Sequence, residues 1–182
     1  MLLVRFFLSV LTLVSVFPQS TMAENTLGFT AEARTDILAS PEKVFSVLNA
    51  TEKWMKHEVS REHIGGPENG VGARHSVVTQ PDGHPKLSRE EEIISFQDNK
   101  RITRYAFTSA PYKTGTFIDM EITPKTNDIS ELRLTIYLQM ASSVMGGSHS
   151  DTARAALPGI IKHNETILQG HVSRIKAVSE AE

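Results

Sequence analysis

An imidazole and a carboxamide interrupt an otherwise apolar stripe near the end of this chain. Leu157, Ile161, Asn164, Leu168, His171 and Ile175 recur at alternating four- and three-residue steps, the spacing that puts side chains on one face of a helix. A polar group on a face that must be covered needs a hydrogen-bond partner. In a cavity that partner is a ligand or bound water; elsewhere it is a backbone carbonyl, or the helix end simply reaches solvent. His75 is a third candidate, because it shares a period-2 face with Val71, Ala73, Val77 and Thr79, although an ordinary strand histidine would look the same. If His75, Tyr105 and His171 converge, they make a polar end to an apolar pocket, suited to a hydroxyl, carbonyl or carboxylate.

Other chemistries fail on spacing. The chain has seven histidines, and His57-Glu58 begins like a zinc-protease helix, but Arg61 stands where the second histidine is needed and His63 comes too late. With no cysteine there is no thiolate zinc site, disulfide or cysteine nucleophile. Ser40-Pro41-Glu42-Lys43 and Lys113-Thr114-Gly115 imitate two motifs of penicillin-recognising enzymes without the Ser-Asp-Asn element that completes them. Gly65, Gly66, Gly70 and Gly72 precede neither a Lys-Ser or Lys-Thr pair nor a helix, so they are no phosphate loop. They read as a lid at a pocket mouth or as plain connectors, as does Met145-Gly146-Gly147-Ser148-His149. Arg89-Glu90-Glu91-Glu92 reads as the solvated part of a strand. No resident metal or cofactor is expected.

The elements that must position these residues begin with an alternating run. Phe29, Ala31, Ala33, Thr35 and Ile37 fall on one side of it and Thr30, Glu32, Arg34 and Asp36 on the other, which predicts a strand over 28–38. Ser40 then serves as N-cap with Pro41 at the first helical position and Glu42 favourable to the helix dipole. Val44, Val47, Leu48, Thr51, Trp54 and Met55 extend the helical pattern, so the helix is expected to end near Lys56-His57. Five strands follow, near 71–80, 86–96, 101–109, 114–123 and 131–141, separated by turn formers such as Pro81-Asp82-Gly83 and Asp98-Asn99-Lys100. Leu132, Leu134, Ile136, Leu138 and Met140 share the inner face of the last strand, Ile118, Met120 and Ile122 that of the strand before it. On 101–109 the expected inward pair is Tyr105 and Phe107. A long helix over roughly 151–177 closes an α+β domain with one antiparallel sheet and helices on one side.

Residues 1–23 carry one charge, Arg5, then an apolar block from Phe6 to Phe17 and small residues before Glu24. That pattern is a cleaved secretory signal, its apolar block being shorter than the roughly 20 residues of a spanning helix. Residues 24–182 then form a single exported domain, in the periplasm or secreted, with the absence of cysteine favouring a bacterial periplasm. The formal net charge is −2, and losing Arg5 makes it more negative, so no nucleic-acid surface is expected.

Ile37, the run Ala39-Ser40-Pro41-Glu42-Lys43-Val44-Phe45, Trp54, Gly70-Val71-Gly72-Ala73-Arg74 and the long C-terminal helix together resemble the helix-grip superfamily. That superfamily includes START domains, the major pollen allergen type, and polyketide cyclases and dehydrases. The resemblance covers roughly residues 28–178. It implies a curved antiparallel sheet wrapped around the C-terminal helix, with a cavity between them. Carried onto this chain, it turns Asn164 and His171 inward and gives a candidate cavity set of Asn164, His171, His75, Tyr105, Phe107, Met120, Ile161 and Leu168. The function it implies is a START-like carrier or sensor that holds a small hydrophobic or lipid-like molecule without a chemical step. Two alternatives remain open: a cyclase or dehydrase in which His75, His171 or Tyr105 acts as general acid or base, and a periplasmic accessory protein partnering a larger redox enzyme.

Overall fold

The strand-to-helix junction forms as its residues dictate. In the computed structural model, which describes residues 26–83, 85–108, 114–141 and 150–181, strand β1 (Thr26–Ile37) leads into helix α1 (Pro41–Asn49). Ser40 keeps extended backbone angles and its hydroxyl accepts from the Lys43 amide at 3.4 Å, as an N-cap must. Helix α1 nevertheless ends at Asn49, well short of His57. Ala50 leaves the helical region, a 3-10 turn covers Thr51–Lys53, and the Trp54 indole folds back to donate to the Val47 carbonyl at 3.0 Å. Thr51 and Trp54 are buried as their spacing predicts, but by the turn rather than by a continued helix.

The remaining elements are β2 (Glu58–Gly65), β3 (Arg74–Thr79), β4 (Leu87–Gln97), β5 (Arg101–Thr108), β6 (Thr114–Thr126), β7 (Ile129–Ala141) and α2 (Ser150–Ala181). All seven strands join one antiparallel sheet in the order β1-β7-β6-β5-β4-β3-β2. The first two strands of the chain are thus its two edges, and α1 makes the crossing between them. Strand β2 has no counterpart in the sequence reading. Its charged residues, Glu58, Arg61, Glu62 and His63, suit a sheet edge that must not recruit another chain.

Core and helices meet on one face. Ile37, Val44, Leu48, Ile102, Leu132, Val172 and Ile175 are fully buried there. Leu168, Val172 and Ile175 anchor the second half of α2, which is also tied to the junction by Lys176 on the Asp36 carbonyl and Glu180 on the Leu38 amide. No side chain described between 150 and 166 is buried. The two ends of the loop from Gly65 to Gly72 meet closely: a Cβ on Gly66 would meet the Gly72 carbonyl at 1.9 Å, and the Gly72 amide is bonded to the Ile93 carbonyl at 2.8 Å. The segments 1–23 and 145–149, read above as a signal and a second mouth loop, lie outside the described residues. Among the described residues no helix is long and apolar enough to cross a membrane.

Candidate ligand cavity

Register across the sheet decides what faces inward. Ile118 pairs with Ile136 on one side and Arg104 on the other, and Thr116 pairs with Leu138 and Ala106, which in turn stands opposite Glu91. Glu91 continues the row to His75 and His63. Paired residues share a sheet face, so the same surface that is aliphatic on β6 and β7 carries Arg104 on β5 and Arg89 and Glu91 on β4.

A cavity of about 290 Å³ opens between this surface and α2. Ile118, Met120, Leu134, Ile136 and Leu138 form its apolar wall; Asn164, Ile167, Leu168 and His171 come from the helix; Trp54 and Met55 close the α1 side. Arg89, Glu91 and Arg104 form the remaining, charged end.

That end is a closed ion network. Glu91 Oε1 accepts from Arg89 Nε at 2.8 Å and Oε2 from Arg61 Nη1 at 2.9 Å. Arg61 grips Glu58 with its other two nitrogens at 3.1 and 3.0 Å, and Thr51 donates to the same carboxylate. Arg104 Nη1 stands 3.9 Å from Glu91 Oε2, and its Nε is buried with no hydrogen-bond partner among the described residues. Burial alone would raise the Glu91 carboxyl, but Arg89, Arg61 and Arg104 hold it down at about 2. Burial lowers Arg104 to about 10 despite the favourable charge of Glu91, so at neutral pH it remains a cation.

His171 faces this end edge-on to Trp54, with ring centroids 5.5 Å apart. Its Nδ1 lies 3.1 Å from Arg174 Nη2. A guanidinium only donates, so Nδ1 accepts and the imidazole proton sits on Nε2. Burial, then the charges of Arg174 and Arg89, push its pKa down to about 4, which makes His171 a neutral donor near pH 7. Asn164 spends its amide nitrogen on the Ile160 carbonyl at 2.8 Å, the ordinary use of an asparagine within a helix.

The structure brings Asn164, His171, Met120 and Leu168 together in the cavity. Ile161 is only partly buried and stands outside its lining. His75 shares the inner face but packs against His63, at 5.7 Å between rings, over Glu91 and away from the cavity. Tyr105 and Phe107 correct the expected inward pair: they lie on the outer face, Phe107 is 46 % exposed, and Ile102, Arg104 and Ala106 are the buried set of β5. His75, Tyr105 and His171 therefore do not converge.

Arg89, Glu91 and Arg104 escaped the sequence reading: Arg89 and Glu91 sit in a charged run of β4 whose parity is ambiguous, while Arg104 on β5 is hidden by the inward assignment of its neighbours Tyr105 and Phe107. Ile93 and Phe96 both pack on the core, three residues apart, because a bulge interrupts β4 between Ile93 and Ser95. Counting by twos from Phe96 turns Glu90 and Glu92 inward; counting from Ile93 gives Glu91 and Arg89, as observed. The one available signal was this pair of inward residues at an odd spacing.

Solved structures share this architecture. Norcoclaurine synthase from Thalictrum flavum superposes with a TM-score of 0.60 at 12 % identity over 85 % of this chain and 96 % of that one. The Zhui aromatase/cyclase from Streptomyces sp. R1128 gives 0.60 at 12 % over 85 % and 94 %, and Ara h 8.0201 gives 0.60 at 13 % over 85 % and 99 %. The chain has the helix-grip fold. No family model matches the chain, and no curated protein matches it in sequence.

Proposed function

We propose that this protein is an exported carrier or sensor that binds one small, largely apolar molecule between the sheet and α2 and releases it unchanged. The observation that carries this reading is the cavity itself: a largely aliphatic wall on β6 and β7 facing an open stretch of helix, with the charged groups gathered on β4 and β5. Pockets of this composition orient a ligand by a few polar contacts and hold it by apolar area. The same fold houses small organic molecules elsewhere, as in norcoclaurine synthase in complex with dopamine and hydroxybenzaldehyde.

The neutral state of His171 favours binding over catalysis. A conjugate acid of pKa about 4 leaves little proton to give and a weak base to accept one near pH 7, and neither His75 nor Tyr105 stands in the cavity to complement it. The test is native mass spectrometry of the protein isolated from its own compartment, combined with displacement of a polarity-sensitive fluorophore by the extracted molecules. A bound small molecule that displaces the dye supports the reading. A protein that carries nothing and leaves the dye dark defeats it, and an intact N-terminus on the isolated protein defeats export.

A further inference from the structure

We propose that the cavity selects a singly charged anionic amphiphile, a carboxylate whose head group meets Arg104 and whose tail lies along β6 and β7. This rests on the binding reading above and names the class of ligand. The first argument is a count of charge. Among the described residues, Arg61, Arg89 and Arg104, with side chains 17 %, 19 % and 7 % exposed, have as acidic partners only Glu58 and Glu91, at 5 % and 2 %. One positive charge is left over in a partly dehydrated interior, where an unmatched ion is costly.

The second argument identifies which cation is left over. Both Glu91 oxygens are taken at hydrogen-bond distance by Arg89 and Arg61, and Arg61 is clamped on its other side by Glu58. Arg104 has only the 3.9 Å approach to Glu91, and its buried Nε is without a partner among the described residues. It lines the cavity directly. His171 adds a second donor from the helix side, since Arg174 occupies its Nδ1 and leaves the proton on Nε2. Donors exceed acceptors here, so the complementary head group accepts without donating, as an ionised carboxylate does. A dianion would overshoot the single excess charge.

Size limits the tail. A space of about 290 Å³ that opens beside Ile167 suits a short acid such as octanoate or a short aryl-alkanoate as the first probe. Longer acids would have to leave part of the chain beside Ile167, which lines the cavity and is also 44 % exposed.

The experiment compares three ligands of one length, octanoate, octanol and octylamine, by calorimetric titration into the folded protein near pH 7 at low salt. Octanoate is expected to bind at least about tenfold more tightly than octanol, and octylamine more weakly than either, a tenfold step corresponding to about 1.4 kcal/mol. Arg104→Gln is expected to abolish the advantage of octanoate while leaving octanol within about twofold. Octanol binding as well as octanoate overturns the anionic head group and leaves the pocket reading intact; failure of all three ligands, with an empty protein by mass spectrometry, overturns both. Should Arg104→Gln not fold, carboxyl-labelled octanoate on the unaltered protein gives an independent answer by NMR. Its bound carboxylate is expected to stay ionised to a lower pH than the free acid, and protonation at a higher pH than the free acid overturns the proposal.

Discussion

The inner face of one sheet is built in two ways. Around Ile37, Val44, Ile102, Leu132, Val172 and Ile175 it is a packed core covered by both helices. Around Arg89, Glu91 and Arg104 it is an ion network beside an unfilled space, with Glu91 among three guanidiniums. Both halves lie under the helices, but they tolerate different defects. The packed half is held by many small contacts that can each be lost separately; the charged half depends on Glu91, whose loss strands Arg89 and Arg104 and leaves Arg61 with Glu58 alone.

The largest expected effect therefore comes from Glu91→Gln. Removing the anion leaves Arg89 and Arg104 without an acidic partner, with Arg61 held by Glu58 alone, and loss of one partner from a buried ion pair costs about 3–5 kcal/mol. Urea unfolding should show that loss, with the midpoint falling. A change under about 1 kcal/mol, the range of exposed pairs, would break the comparison by showing that water already screens the network.

The packed half offers the next effect. Leu132→Ala, at a position with no exposure, is expected to cost about 2–5 kcal/mol. Ile136 lines the cavity, so part of its surface lacks neighbours already, and Ile136→Ala should cost about 1 kcal/mol less. Equal losses in the two variants would mean that the cavity collapses in solution.

Acid should then dismantle the charged end in two stages. His171 has a folded pKa of about 4 against an ordinary 6.5, so the unfolded chain binds the extra proton; its contribution is complete above pH 6.5 and is lost as pH falls toward 4. Glu91 has a folded pKa of about 2 against 4.5; its contribution is complete above pH 4.5 and is lost as pH falls toward 2. Each window spans up to about 3 kcal/mol. His171→Gln should flatten the upper window and leave the lower one, as read from unfolding free energy measured against pH. An unchanged slope between pH 6.5 and 4 in that variant would reassign the upper stage to another group.

How far the two halves could be read beforehand follows from the same difference. Most inner residues of β1, β6 and β7 alternate with polar ones, so Ala31, Met120, Leu132 and Leu134 declare their side without knowledge of any neighbour. Ser40 and Pro41 likewise state the start of α1 by local chemistry. Glu91 and Arg104 do not, because a charged residue turns inward only when its counter-ion is already there, and the pairing of β4 with β5 and, through β3, with Arg61 is invisible in a linear pattern. The bulge after Ile93 also makes the parity of Glu91 ambiguous, and on β5 the aromatic Tyr105 and Phe107 draw the inward assignment away from Arg104. Asn164 and His171 stood out because they interrupt a stripe, a local signal again; that burial, with Arg174 beside it, holds His171 neutral is a tertiary fact.

The smallest expected effect tests the face that was misjudged. Aromatic residues carry the most apolar area and so attract an inward assignment, but Phe107 is 46 % exposed, and on the outer face Tyr105 packs against Phe117 at 4.9 Å between rings. Gly115, opposite Phe107 in the register, leaves the space that the Tyr105 ring covers, its hydroxyl 3.0 Å from where a Cβ would stand. Phe107→Ala therefore removes little buried surface and should cost under about 1 kcal/mol, as substitutions of half-exposed residues usually do, with ligand affinity unchanged. Ala106→Phe, one residue away on the buried face, should instead fill the cavity and weaken ligand binding at least about tenfold. If the two variants exchange these outcomes in a binding titration, β5 has the opposite parity and Arg104 is not in the cavity, which would remove the charged half of the comparison along with it.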